Sequence, residues 1–150
     1  MFATTSTSFE PASNRFATPL PRALRASAET LDWRDFCAGH AGSGSIRLGT
    51  WSAVAAHDDL VDFRATLAVG DRICAVDATA VGPLGAATAM LHSLGVAVEI
   101  TGLHQQSVCG DTVTFVECDI DGRRAWGMGI AADPALAGVG AMIAAANRLR

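Results

Sequence analysis

Residues 59–72 read DLVDFRATLAVGDR, and residues 111–124 read DTVTFVECDIDGRR. In the first stretch Val61, Phe63, Ala65 and Leu67 alternate with Asp62, Arg64 and Thr66, the period-two pattern of a strand with one apolar face. Gly70-Asp71 then forms a tight turn into a further strand. Laid over the second stretch at a spacing of about 52 residues, Asp59 meets Asp111, Val61 meets Val113 and Phe63 meets Phe115. Gly70 then falls on Gly122 and Arg72 on Arg124. The match runs on without a gap, so that Leu84 meets Leu136 and Ala89-Met90 meets Ala141-Met142. Identities that fall on the same strand, turn and helix positions read as an internal duplication.

The first copy reads as strands over 46–56, 60–69 and 72–79, then a helix opened by Gly82-Pro83, with proline suited to the first helical position. Leu84, Ala87, Met90, Leu91 and Leu94 form its apolar stripe, and Gly95 is a natural stop. The second copy reads as a strand over 96–101, an irregular polar extension over 103–110, and strands over 112–120 and 123–130. Asp133-Pro134 then caps a last helix. The expected fold class is α+β, two pseudo-symmetric βββα units, 46–95 and 96–150, packed around a shared core. One helix cannot cover a sheet face alone, so the two units bury each other. The seam between them is where a small ligand would bind.

Residues 1–45 carry Pro11, Pro19 and Pro21 and no sustained periodicity, and read as an N-terminal tail and linker with one short helix near 23–38. The start is rich in Ser, Thr, Ala and Arg, as a transit peptide is, but has no long apolar core of a secretory signal. Gly39 to Ser45 reads as a flexible linker.

Half of the 150 residues are hydrophobic and 17% are charged, with a mean hydropathy of +0.30. A domain this small cannot hide so much apolar surface in its own core, which leads us to expect a homodimer. The net charge of -4 argues against nucleic acid and anionic membranes as partners. No apolar run approaches the roughly 20 residues that span a bilayer. Cys37, Cys74, Cys109 and Cys118 show no CxxC pair, so reduced thiols and a cytoplasmic location are expected.

Little in the chain can do chemistry alone. His40, His57, His92 and His104 are scattered, Asp58-Asp59 reads as a solvated turn, and there is no lysine. Gly42-Ser43-Gly44 lacks the lysine of a phosphate loop. No catalytic residue, no metal site and no cofactor is therefore expected. The helix start at Gly82-Pro83-Leu84-Gly85 leaves backbone N–H groups free to hold a carboxylate, or simply to be capped.

Three motifs then carry a resemblance. Gly82-Pro83-Leu84-Gly85-Ala86, Trp126-Gly127-Met128-Gly129-Ile130 and the closing Ala146-Asn147-Arg148 together resemble the C-terminal regulatory domain of α-isopropylmalate synthase. That family shows a GxGNGP segment opening the first helix, a WGVGI-type strand and a final VNR-like triplet. The resemblance covers about 46–150, and more weakly the stretch from Leu20 to Phe36. It implies a stand-alone allosteric and dimerisation domain of leucine (branched-chain amino acid) biosynthesis, without the catalytic barrel and not an enzyme by itself. The implied partners are leucine or a related small acid, a second copy, and a 2-isopropylmalate synthase-like enzyme. The implied ligand residues are Leu84, Gly85, Ile100, Leu103, Ser107, Thr112 and Thr114. Ala78, Ala80 and Val81 stand where the family carries two glycines and an asparagine. Leu103 and Gln105-Gln106 stand where it carries a tyrosine and a Glu-His pair. The alternatives are a dimerisation or interaction module without a ligand, and a non-catalytic subunit of a split synthase.

Overall fold

The computed structural model describes residues 8–150; the first seven residues of the expected tail lie outside them. Strands β1 (Ile46–Ala55), β2 (Val61–Val69) and β3 (Arg72–Ala80) form one antiparallel sheet in that order, followed by helix α3 (Pro83–Ser93). Strands β4 (Glu99–Val108), β5 (Asp111–Ile120) and β6 (Arg123–Ala131) form a second, followed by α4 (Pro134–Arg148). Ahead of them come α1 (Arg22–Thr30) and α2 (Trp33–His40). The two βββα units share one core, in which Phe63, Ala65 and Leu67 of the first sheet and Val116, Cys118 and Ile120 of the second enclose α3 and α4.

The duplication stands, but its register is one residue off the gapless match. The hairpins close at Val69↔Arg72 and Ile120↔Arg123, and both helices carry proline in their first turn, Pro83 and Pro134. Val69 thus corresponds to Ile120, Arg72 to Arg123 and Pro83 to Pro134, each one residue short of the spacing read from the identities. In a strand, a slip of one residue exchanges the two faces. Phe63 accordingly lies in the shared core, while Phe115 points out of the opposite face of its sheet into a second cluster. Gly70 and Gly122 are not equivalent either. In the first hairpin Gly70 alone has a positive φ (60°), whereas Asp121 (54°) and Gly122 (81°) both do in the second, as a type I′ turn requires. The chain from Ile100 to its partner Cys118 is one residue shorter than that from Leu48 to its partner Leu67, which absorbs the slip.

The extension expected to be irregular over 103–110 is regular strand to Val108. A bulge between Ile100 and Gly102 sets its register, and the first unit has a bulge at the matching place, between Leu48 and Trp51. Each inserts one unpaired residue and twists the edge strand.

Helix α4 packs mainly on β6 and β5, and α3 more lightly on β3. The cause lies in the strands beneath them. A Cβ on Gly127 would collide with backbone atoms of Ala141 and Ala145, and one on Gly129 with those of Ala137 and Ala141. Helix and sheet therefore touch backbone to backbone in the second unit. At the corresponding places β3 has Val76 and Ala78, whose side chains reach the core themselves. The tip of α4 also holds the first unit. Asn147 accepts from the Ile46 N–H through Oδ1 and donates from Nδ2 to the Ile46 carbonyl, both at 2.9 Å.

Where the sequence reads as tail, linker and one helix, the chain forms a 3-10 turn at Ala12–Arg15 and two helices. Asp32 breaks the helix in two. Its extended backbone bridges to Pro11, and its Oδ1 accepts from the Asp35 N–H to cap α2. Leu20, Leu24, Ala28 and Phe36 are buried against Val108, Val113, Phe115 and Met128 on the outer face of the second sheet. That sheet is covered on both faces, while the outer face of the first exposes Asp62, Arg64, Ile73 and Thr79.

Two substitutions test this packing. Gly129→Ala should destabilise the fold by at least about 2 kcal/mol, whereas Ala78→Gly at the matching place in β3 should cost no more than about 1 kcal/mol; urea denaturation midpoints give the comparison. Asn147→Ala leaves both polar groups of Ile46 unpaired and should cost about 1–3 kcal/mol, with hydrogen exchange accelerating first in β1.

Candidate functional surface between the units

The register of β4 against β5 pairs Leu103 with Val116, Gln105 with Thr114 and Ser107 with Thr112, and, before the bulge, Ile100 with Cys118. Val116 and Cys118 face the core, so Ile100, Leu103, Ser107, Thr112 and Thr114 share the inner face of the second sheet. Helix α4 covers β5 and β6 but leaves the outer half of β4 open. Leu103 is 57% exposed, and Ser107 is exposed beside it. Thr112 is half-buried and Thr114 fully buried.

Thr114 is the one buried polar side chain among the described residues. Its hydroxyl donates to Gln105 Oε1 at 3.4 Å, a long bond to an exposed partner. A buried hydroxyl so weakly held is free to take a better acceptor. Gln105 was not singled out with the ligand residues, and its place follows only from the bulge, which turns Gln105 inward and Gln106 outward. Gln106 serves the opposite face, accepting from Ala17 and Thr18 N–H groups and donating to the Thr18 carbonyl.

Leu84 and Gly85 belong to the other unit, at the start of α3. Leu84 is half-buried and packs against Gly138 of α4, and Gly85 is exposed. The α3 N-cap, Gly82, offers no side-chain bond, so N–H groups of the first turn are free. At α4 the matching position is filled by its own residue, with Asp133 Oδ1 accepting from the Ala135 N–H at 2.9 Å. Ala78 and Ala80 of β3 pack against the core beside this helix start. An open recess of about 480 Å³ lies elsewhere, between Glu10, Arg15, Asp32, Trp33 and Arg34.

The four cysteines are free thiols. Burial, reinforced by Glu117, pushes Cys118 up to about 12, so it stays protonated and unreactive. Burial also raises Cys37, against the opposing pull of Arg15. Cys109 sits exposed in the β4–β5 turn. Among the described residues no three His, Cys, Asp or Glu side chains converge as metal ligands, and no helix is long and apolar enough to cross a membrane.

No family model matches the chain. It is similar to the 2-isopropylmalate synthase of Leifsonia xyli subsp. xyli (strain CTCB07), 31% identical over 109 residues, which is 70% of this chain and 18% of that protein. It is also similar to the 2-isopropylmalate synthase of Clavibacter michiganensis subsp. michiganensis (strain NCPPB 382), 33% identical over 92 residues, 59% of this chain and 16% of the relative. That of Clavibacter sepedonicus is 32% identical over 83 residues, 53% of this chain and 14% of the relative. The chain spans less than a fifth of the length of these curated relatives. The family resemblance is therefore supported by sequence similarity over 53–70% of the chain: this two-unit α+β chain is homologous to one short segment of 2-isopropylmalate synthase.

Proposed function

We propose that the chain is an allosteric and dimerisation domain of the 2-isopropylmalate synthase kind, acting in leucine biosynthesis and binding leucine or a related small acid. The observation that carries this reading is the similarity to three such synthases over as much as 70% of the chain. The half-open inner face of the second sheet supports it. Leu103 offers an apolar contact there, worth about 2 kcal/mol for a leucine-sized side chain, and Ser107, Thr112 and Thr114 offer hydroxyls. The free N–H groups of α3 suit a carboxylate. On this reading the domain acts from the cytoplasm on a synthase-like enzyme and performs no catalysis itself.

A second reading, an interaction module without a ligand, draws on Ala78 and Ala80. Their methyl groups are engaged in the core beside α3, where they narrow the approach to its first turn. Isothermal titration against leucine, valine, isoleucine and their 2-oxo acids separates the two. The first reading expects heat with at least one of these, and Thr114→Val, which keeps the shape and removes the hydroxyl, should weaken that binding by about tenfold. No heat with any of them, in a chain that light scattering finds dimeric, leaves the interaction module. A non-catalytic subunit of a split synthase would instead co-purify with a barrel protein and restore synthase activity on mixing.

A further inference from the structure

The outer helix layer is fastened to the duplicated body at two places, through His40, which bonds a partner that can only donate, and through Gln106 of β4. His40 ends α2. Its Nδ1 lies 3.1 Å from Nη1 of Arg148, at the tip of α4. A guanidinium has no acceptor, so Nδ1 must carry the lone pair and Nε2 the proton. That proton is then donated to Ser27 Oγ of α1 at 3.1 Å, and the Ser27 hydroxyl donates to the Leu24 carbonyl. Arg148 Nη1 also donates to the Trp126 carbonyl of β6 at 2.8 Å. One relay therefore ties α1, α2, α4 and β6.

At the other end of the layer the bonds that cross are made by Gln106, itself held by His104 of the same strand. Gln106 Oε1 accepts from Ala17 and Thr18 and its Nε2 donates to Thr18, which fixes the orientation of the amide. The remaining amide proton points at His104 Nε2, 2.9 Å away, so that nitrogen too must be an unprotonated acceptor. His104 also packs against Phe115, and His40 against Phe36, so both rings lie within the aromatic contact between layer and sheet.

We infer that His40 forms a pH-sensitive clasp, in which its protonation on acidification releases the N-terminal helix layer from the outer face of the second sheet. A protonated His40 would face the Arg148 guanidinium with a second positive charge and nothing to accept its bond. Among the described residues, the groups that bond His40 include no compensating carboxylate: α4 presents Arg148, α1 presents Ser27 and β6 a carbonyl. Burial and Arg148 both hold His40 below its ordinary value of 6.5. A histidine whose folded value is depressed takes up its proton more readily in the released state. Its contribution to docking is thus complete above the ordinary value and lost as the pH falls below it.

The test is hydrogen exchange on the full chain between pH 7.5 and 5, corrected for the intrinsic rate, with the imidazole resonances followed by NMR. The expected result is a selective loss of protection over 22–40 as His40 takes up its proton, with α4 and β5 still protected. The variant His40→Gln keeps an acceptor at that place without a titrating ring, and should hold its protection across the range. Loosening of that variant over the same range as the wild type would overturn the clasp. So would protonation of His40 in the wild type with no loss over 22–40, which needs no variant to fold.

Discussion

The rest of the structure depends on the contact between α4 and the strand beneath it. Gly127 and Gly129 carry no side chains, so the helix backbone comes down onto the strand where any Cβ would meet Ala137, Ala141 or Ala145. Contact this close places α4 over β5 and β6 and away from β4. The first unit has Val76 and Ala78 at the same places, and its helix stands further off. Two units with one topology thus pack their helices differently, and the difference traces to two side chains. The open half of β4, with Leu103 exposed and Thr114 buried, follows from the same contact. In β6, the neighbours Trp126 and Met128 alternate to the other face and join the outer cluster, so the Trp-Gly-Met-Gly pattern serves two layers at once.

That second layer accounts for much of the chain's apolar excess. A small domain with half its residues hydrophobic leads one to expect a partner subunit, because a single core does not bury so much surface. Here α1 and α2 build a second core on the outside of the second sheet. The signal for it was present in the sequence. Leu20, Leu24, Ala28 and Leu31 recur at helical spacing, and all but Leu31 are buried. Prolines at 11, 19 and 21 obscured it, because they read as marks of an extended tail. They flank the helix rather than interrupt it: Pro21 takes the N-cap position of α1, where a missing N–H costs nothing.

The units, their order, the three-strand sheets and the proline-led helices were legible from alternation, turn residues and capping residues. The facing of β5 was not. Val113, Thr114, Phe115 and Val116 are all buried, because helices cover that strand on both sides. A strand covered twice is apolar at nearly every position and loses the alternation that tells one face from the other. Identities then decided the register, and the coincidence of Phe63 with Phe115 favoured the wrong one. The hairpin geometry settles it, since a turn with two positive φ angles places its glycine one position later than a turn with one. The same slip governs the candidate surface. It decides that Thr112 and Thr114, rather than Val113 and Phe115, face inward, and the bulge at Gly102 does the same for Gln105 over Gln106.

Helix α4 is the element through which these features meet. Its first half lies against Leu84 of α3 at Gly138 and over Gly129, the neighbour of Thr114 in the sheet. Its middle meets α3 again, where Thr88 Oγ1 lies 3.8 Å from Met142 Sδ. Its last turn holds the start of β1 through Asn147, and through Arg148 both His40 and β6. A rigid helix seated on glycine has little room to shift against its own sheet. The residues that close the chain are thus where both units and the helix layer are joined. This gives a physical reason for an Asn-Arg pair at that place, in terms of the two backbone groups of Ile46 and the imidazole of His40 that those side chains bond.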